Sequence, residues 1–97
     1  MMDAEKPQPL PIDIDEATAR GQYVNLAMVA HSAEEFFLDF VFMSPGATRG
    51  RVAVRLVTSP AHAKRLVVAL SDNVAKFEKN FGIINMDAGK QITGPMS

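Results

Sequence analysis

Between residues 23 and 58 the apolar side chains recur at every second position in three separate segments, and beyond residue 59 the spacing changes to three and four. This pair of periods constrains the fold more than any other feature of the chain. The first segment, residues 23–30, carries Val24, Leu26, Met28 and Ala30 at its even positions. The second, residues 35–43, carries Phe36, Leu38, Phe40 and Phe42, and the third, residues 51–58, carries Val52, Val54, Leu56 and Thr58. Successive side chains of a strand point to opposite faces, so each segment commits one row to a core. Ala63, Leu66, Val67, Leu70, Val74, Phe77 and Phe81 then make a single apolar stripe over about five helical turns. The order is β-β-β-α, an α+β domain in which a three-stranded antiparallel sheet packs on one long C-terminal helix.

The punctuation agrees with this reading. Pro45-Gly46 suits the central pair of a type II turn, because Pro sets the first φ and Gly admits a positive second one. Ser59-Pro60 reads as an N-cap followed by a proline at the first helical position, where its missing N–H costs nothing. Gly82 ends the helix, and Lys76 and Lys79 near its last turns complement the helix dipole. Equal parity in all three strands predicts that even positions oppose even positions, since directly opposed residues share a face. That excludes a tight Ser32-Ala33 turn and requires a three- or five-residue first connection or a bulge. Pairing Phe42 with Val52 in the second hairpin sets Asp39 opposite Arg55 as a cross-strand ion pair, and the helical stripe is expected on the even face.

At 97 residues the chain has room for one domain, residues 21–85, with a thin core. Residues 1–20 form an acidic, proline-containing arm in which Ile12-Asp13-Ile14-Asp15 alternates like a short extra N-terminal edge strand. Residues 86–97 read as a flexible tail. Five acids against Lys6 and Arg20 in the arm contrast with seven bases against five acids in residues 21–85, a weakly basic domain in a chain of net charge −1. The absence of cysteine excludes disulfides and thiolate metal sites and suits a cytoplasmic protein. No apolar run is long enough to cross a bilayer, and the N-terminus lacks the features of a secretory signal, so no membrane partner is expected.

Several separated blocks have a familiar order. Tyr23, Asn25, His31-Ser32, Glu35-Phe36 and Leu38-Asp39-Phe40 are followed by Ser44-Pro45-Gly46, Arg55, Ser59-Pro60 and His62-Ala63-Lys64. Leu70, Asn73, Phe77-Glu78 and Phe81-Gly82 complete the set. Over residues 21–84 the chain resembles the prokaryotic family of domain of unknown function 3467. The resemblance implies a prokaryotic source and supplies no activity, cofactor or mapped site.

Candidate chemistry is sparse. A metal site needs three or four convergent donors, and only His31 and His62 are present as histidines. Asp13 and Asp15 begin like a calcium loop, but Thr18 and Val24 stand where the glycine and the final acid are required. Ser59 and His62 lie three apart without an orienting acid, and Ser59 is better explained as a cap. Gly89-Lys90-Gln91-Ile92-Thr93-Gly94 lacks the spacing of a phosphate loop. No catalytic, cofactor or metal residue is assigned, and the chain is read as not an enzyme.

Function is therefore sought on surfaces. The odd sheet face, with Ala27, Val29, Phe37, Val41, Ala53 and Val57, has nothing to cover it in a monomer and is expected to be an interface. The expected role is a small homo-oligomeric protein–protein interaction module, a homodimer with an unknown protein client. The alternative is a weakly basic single-stranded nucleic-acid-binding module using Tyr23, Phe37, Arg51 and Arg55 to stack bases and hold phosphates. It is less favoured because Glu35 and Asp39 share that face.

Overall fold

A computed structural model describes residues 10–87. The start of the arm and most of the tail, including the Gly89–Gly94 stretch, lie outside the described residues. A four-residue helix α1 (Glu16–Ala19) precedes strands β1 (Leu26–His31), β2 (Phe36–Phe42) and β3 (Arg51–Thr58), and helix α2 (Pro60–Phe81) follows. The strands form one antiparallel sheet in the order β1-β2-β3. The α+β, β-β-β-α arrangement read from the two periods is the observed one.

The expected edge strand at Ile12–Asp15 does not form. Ile12 and Ile14 are exposed, and Asp15 instead caps α1, its carboxylate accepting from the Thr18 N–H at 3.4 Å. Four alternating residues match a strand pattern, but Asp followed by Glu16 and a short helix-forming run suits a helix start equally well.

The parity expectation also needs correction. His31 opposes Phe36, Val29 opposes Leu38 and Ala27 opposes Phe40, so odd positions of β1 meet even positions of β2. The hairpin closes through four residues, with the Ser32 N–H donating to the Glu35 carbonyl at 2.9 Å. The Ser32 hydroxyl accepts from the Glu34 and Glu35 N–H groups, each at 3.2 Å, which fixes the turn locally. β1 is apolar at both parities, so its pattern does not resist the shift and the turn chemistry decides the register.

In the second hairpin Asp39 opposes Arg55 as expected. A bulge between Phe40 and Val41 then intervenes, so that Val52 opposes Val41, Arg51 opposes Phe42, and Ala53 is the extra residue. The Phe42–Val52 pairing is thus displaced by one. Packing explains why the strand enters here so closely. A Cβ on Gly50 would stand 3.1 Å from the side chains of Val41 and Met43. The Pro45-Gly46 turn forms as read, with Gly46 at φ 81° and the Ala47 N–H donating to the Ser44 carbonyl at 3.0 Å.

α2 has the ends the sequence predicts. The Ser59 hydroxyl accepts from the His62 N–H at 3.1 Å, Pro60 opens the helix, and Gly82 at φ 101° closes it. Beyond Ala63, which is buried, its stripe does not lie on the even face of its own sheet. Leu70 is 60% exposed, Phe77 48% and Phe81 75%, and among the described hydrophobic residues only Val41 and Ala63 are buried. The Cα radius of gyration, 16.2 Å, exceeds the roughly 13 Å of a compact domain of about one hundred residues. Strand pairing holds the sheet together, while the helix extends away from it.

Candidate interaction surface

The observed register sorts the sheet into two unlike faces. One carries the rows Val29–Leu38–Leu56 and Ala27–Phe40–Val54, with His31–Phe36–Thr58 at one end and Phe42–Arg51 at the other. Its two inner rows hold no polar side chain. The His31 ring stacks on Phe36 at 5.2 Å, and Tyr23 meets Phe42 edge-on at 5.9 Å, so aromatic contacts bracket the apolar centre. We call this the apolar face.

The opposite face carries Ala30–Phe37–Val57, Met28–Asp39–Arg55 and Leu26–Val41–Val52. At its centre Arg55 makes a bidentate pair with Asp39, Nε to Oδ1 at 2.7 Å and Nη2 to Oδ2 at 2.8 Å. The Arg55 guanidinium also lies 5.9 Å from the Phe37 ring centroid. Hydrogen bonds from Arg55 hold the Asp39 carboxyl below its ordinary range, with partial desolvation opposing and the cation's attraction reinforcing the shift. The same bonds and attraction push Arg55 further up. The Asp39 side chain is mostly covered and that of Arg55 largely exposed, so the guanidinium forms a lid over the carboxylate. A shallow groove lined by Met28, Val29, Ala30, Phe37, Asp39 and Arg55 runs along β1 and this ion-pair face.

The residues expected to form one interface are therefore divided. Phe37, Val41 and Val57 lie on the ion-pair face, whereas Ala27 and Val29 lie on the apolar face and Ala53 sits at the bulge. Val41, expected to be available to a partner, is 3% exposed. The nucleic-acid set divides in the same way. Phe37 and Arg55 share the ion-pair face, but Arg51 opposes Phe42 on the apolar face, where Tyr23 also packs. The cause is common to both sets: β1 is shifted by one relative to β2, and the bulge turns the first residues of β3 over.

One structural role escaped the sequence reading. The Asn25 amide donates to the Met43 carbonyl at 2.9 Å, and its oxygen accepts from the Met43 N–H at 3.0 Å. With its backbone N–H bonded to the Val41 carbonyl, Asn25 extends the ladder where β1 has not yet begun. Asparagine carries both a donor and an acceptor, as a peptide unit does, and that match was the available signal. In α2, Glu78 accepts from the Ile84 N–H at 3.0 Å and secures the chain beyond Gly82.

Among the described residues no group of three or more His, Asp or Glu side chains is placed to hold a metal ion, and His31 and His62 lie on different elements. No described helix is long and apolar enough to cross a membrane. The features that remain are surfaces: two sheet faces and the α2 stripe, whose Val67, Leu70 and Val74 line an open furrow along the helix.

No curated protein and no solved structure matches the chain. A family model matches residues 1–86, nearly the whole length, and covers every block that carried the resemblance. The chain belongs to the family described as protein of unknown function (DUF3467).

Proposed function

We propose that this protein is a small, non-enzymatic, homo-oligomeric protein–protein interaction module of the cytoplasm, a homodimer that presents its remaining surface to a protein client. One observation carries the reading: a hydrogen-bonded sheet and a fully capped helix leave most of their large apolar side chains exposed, including every one on α2. Fully burying a Val, Leu or Phe contributes about 1.5–3 kcal/mol, and the single chain forgoes about half of that at each of Leu56, Val57, Val67, Leu70 and Phe77. Monomeric proteins rarely present contiguous apolar area on this scale, and a second copy is the commonest way to cover it.

The nucleic-acid alternative has weaker support. Its four residues occupy two faces, and Arg55 is already engaged by Asp39. Multi-angle light scattering at micromolar concentration tests the oligomer: the expected mass is twice the 10.6 kDa of one chain. A folded monomer that persists on dilution refutes the proposal. Submicromolar binding of single-stranded DNA that weakens steeply with added salt would favour the alternative.

A further inference from the structure

The bare helix stripe and the bare apolar face suit each other, yet the joint between β3 and α2 keeps them apart within one chain. β3 ends at Thr58 and α2 begins at Pro60, so one residue connects them. Ser59 is extended, at φ −77° and ψ 158°, and its hydroxyl and carbonyl accept from the His62 and Ala63 N–H groups at 3.1 and 2.9 Å. The ring of Pro60 disfavours the helical region for Ser59. The chain thus passes from strand to helix without a loop in which to reverse, and the stripe is carried past the sheet its own chain builds.

The dimensions of the two surfaces agree. From Leu66 to Phe81 the stripe runs about 22 Å at 1.5 Å per residue. The seven residues of β2 run about 23 Å. Three strands span roughly 10 Å between the outer two, close to the diameter of one helix. The stripe positions and the two inner rows of the face are uncharged, so neither side strands a charge when they meet. At about 150–200 Å² for a fully exposed large side chain, the observed exposures amount to roughly 750–1,000 Å² of side-chain surface per chain. A stable interface of ordinary size buries about 800 Å² per partner.

We propose that α2 of each chain lies across the apolar sheet face of a second copy and that the two copies exchange helices about a two-fold axis. The proposal rests on the homo-oligomeric reading above and adds which surfaces meet. Exchange of an identical element covers both bare surfaces of both chains in one closed assembly. It also leaves the Asp39–Arg55 face directed outward.

Because the chain has no cysteine, thiols can be placed one at a time in the full-length protein. Val54→Cys marks the apolar face and Leu70→Cys the stripe. The two variants, one carrying an affinity tag, are refolded together and oxidised with copper–phenanthroline. The expected result is a mixed disulfide several-fold more abundant than either like-with-like product. Predominant Leu70→Cys self-linkage would set helix against helix, and predominant Val54→Cys self-linkage would set sheet against sheet. Either result, or a mixed product at no more than statistical yield, overturns the helix exchange while the homo-oligomer stands. A second pair, Leu56→Cys with Val74→Cys, applies the same criterion if the first misfolds. Light scattering on the unsubstituted chain separates the two proposals, since a monomer there overturns both.

Discussion

The two faces of this sheet are made by the same three strands, yet they have met their needs to different degrees. On the ion-pair face Asp39 and Arg55 satisfy each other, Phe37 lies within cation–π distance of Arg55 and Val41 is buried, although Met28, Val52 and Val57 stay 43–50% exposed. The apolar face has two full rows of hydrocarbon and aromatic side chains, with Leu56 half exposed and Val54 38% exposed. A polar pair can complete itself within a face by short hydrogen bonds, whereas an apolar row is completed only by another layer.

The strongest way to break this comparison is to remove Phe40 from the centre of the apolar face. With a second layer over it, Phe40→Ala is expected to cost about 3–5 kcal/mol and to abolish the dimer at micromolar concentration. Urea denaturation with light scattering reads both effects. A small loss with the dimer intact would show that the apolar face is not the contact.

Leu70→Ala comes next. Covered in an assembly, Leu70 is expected to lose about 2–5 kcal/mol on truncation, but at 60% exposure in an isolated chain well under half of that. Denaturation midpoints at two protein concentrations distinguish the cases, because dimer stability depends on concentration. A midpoint shift that is small and concentration-independent would place the stripe in solvent.

Phe37→Ala probes the other face and should have a smaller effect, about 1–2 kcal/mol of stability, with the dimer retained. Sedimentation of the variant reads this. Loss of the dimer at unchanged chain stability would transfer the contact to the ion-pair face.

The smallest effect is expected from the ion pair itself, and it carries a sign. The Asp39 carboxyl is held below its ordinary value of 3.8 in the folded chain, so its contribution is present above about pH 4 and is lost as pH falls through the lowered value. Asp39→Asn should flatten that part of the acid limb and leave stability at pH 7 to 8 only slightly reduced, the more so in high salt. An unchanged acid limb would show that the pair contributes no pH dependence.

Legibility in the sequence followed the range of the interaction. The three strands, the Pro45-Gly46 turn, the Ser59 cap and the Gly82 stop were readable because each depends on a few consecutive residues and their dihedral preferences. The Asp39–Arg55 opposition was readable because the segment containing it keeps one register up to Phe40. The sorting of interface candidates was not readable. β1 is apolar at both parities, so a four-residue turn held by the Ser32 hydroxyl set its face, and an extra residue at Ala53 turned over Val52 and Arg51.

What the sequence determined by itself was a set of locally complete elements: three alternating strands and one capped amphipathic helix. Only the tertiary structure decided which rows share a face and that the α2 stripe from Leu66 to Phe81 stays exposed. Alternation specifies that each strand has two sides but not which side joins its neighbour's. A hydrophobic stripe specifies that a helix must be covered, and not which chain covers it. Here the one-residue joint at Ser59 carries α2 away from its own sheet, and its stripe from Leu66 to Phe81 stays exposed.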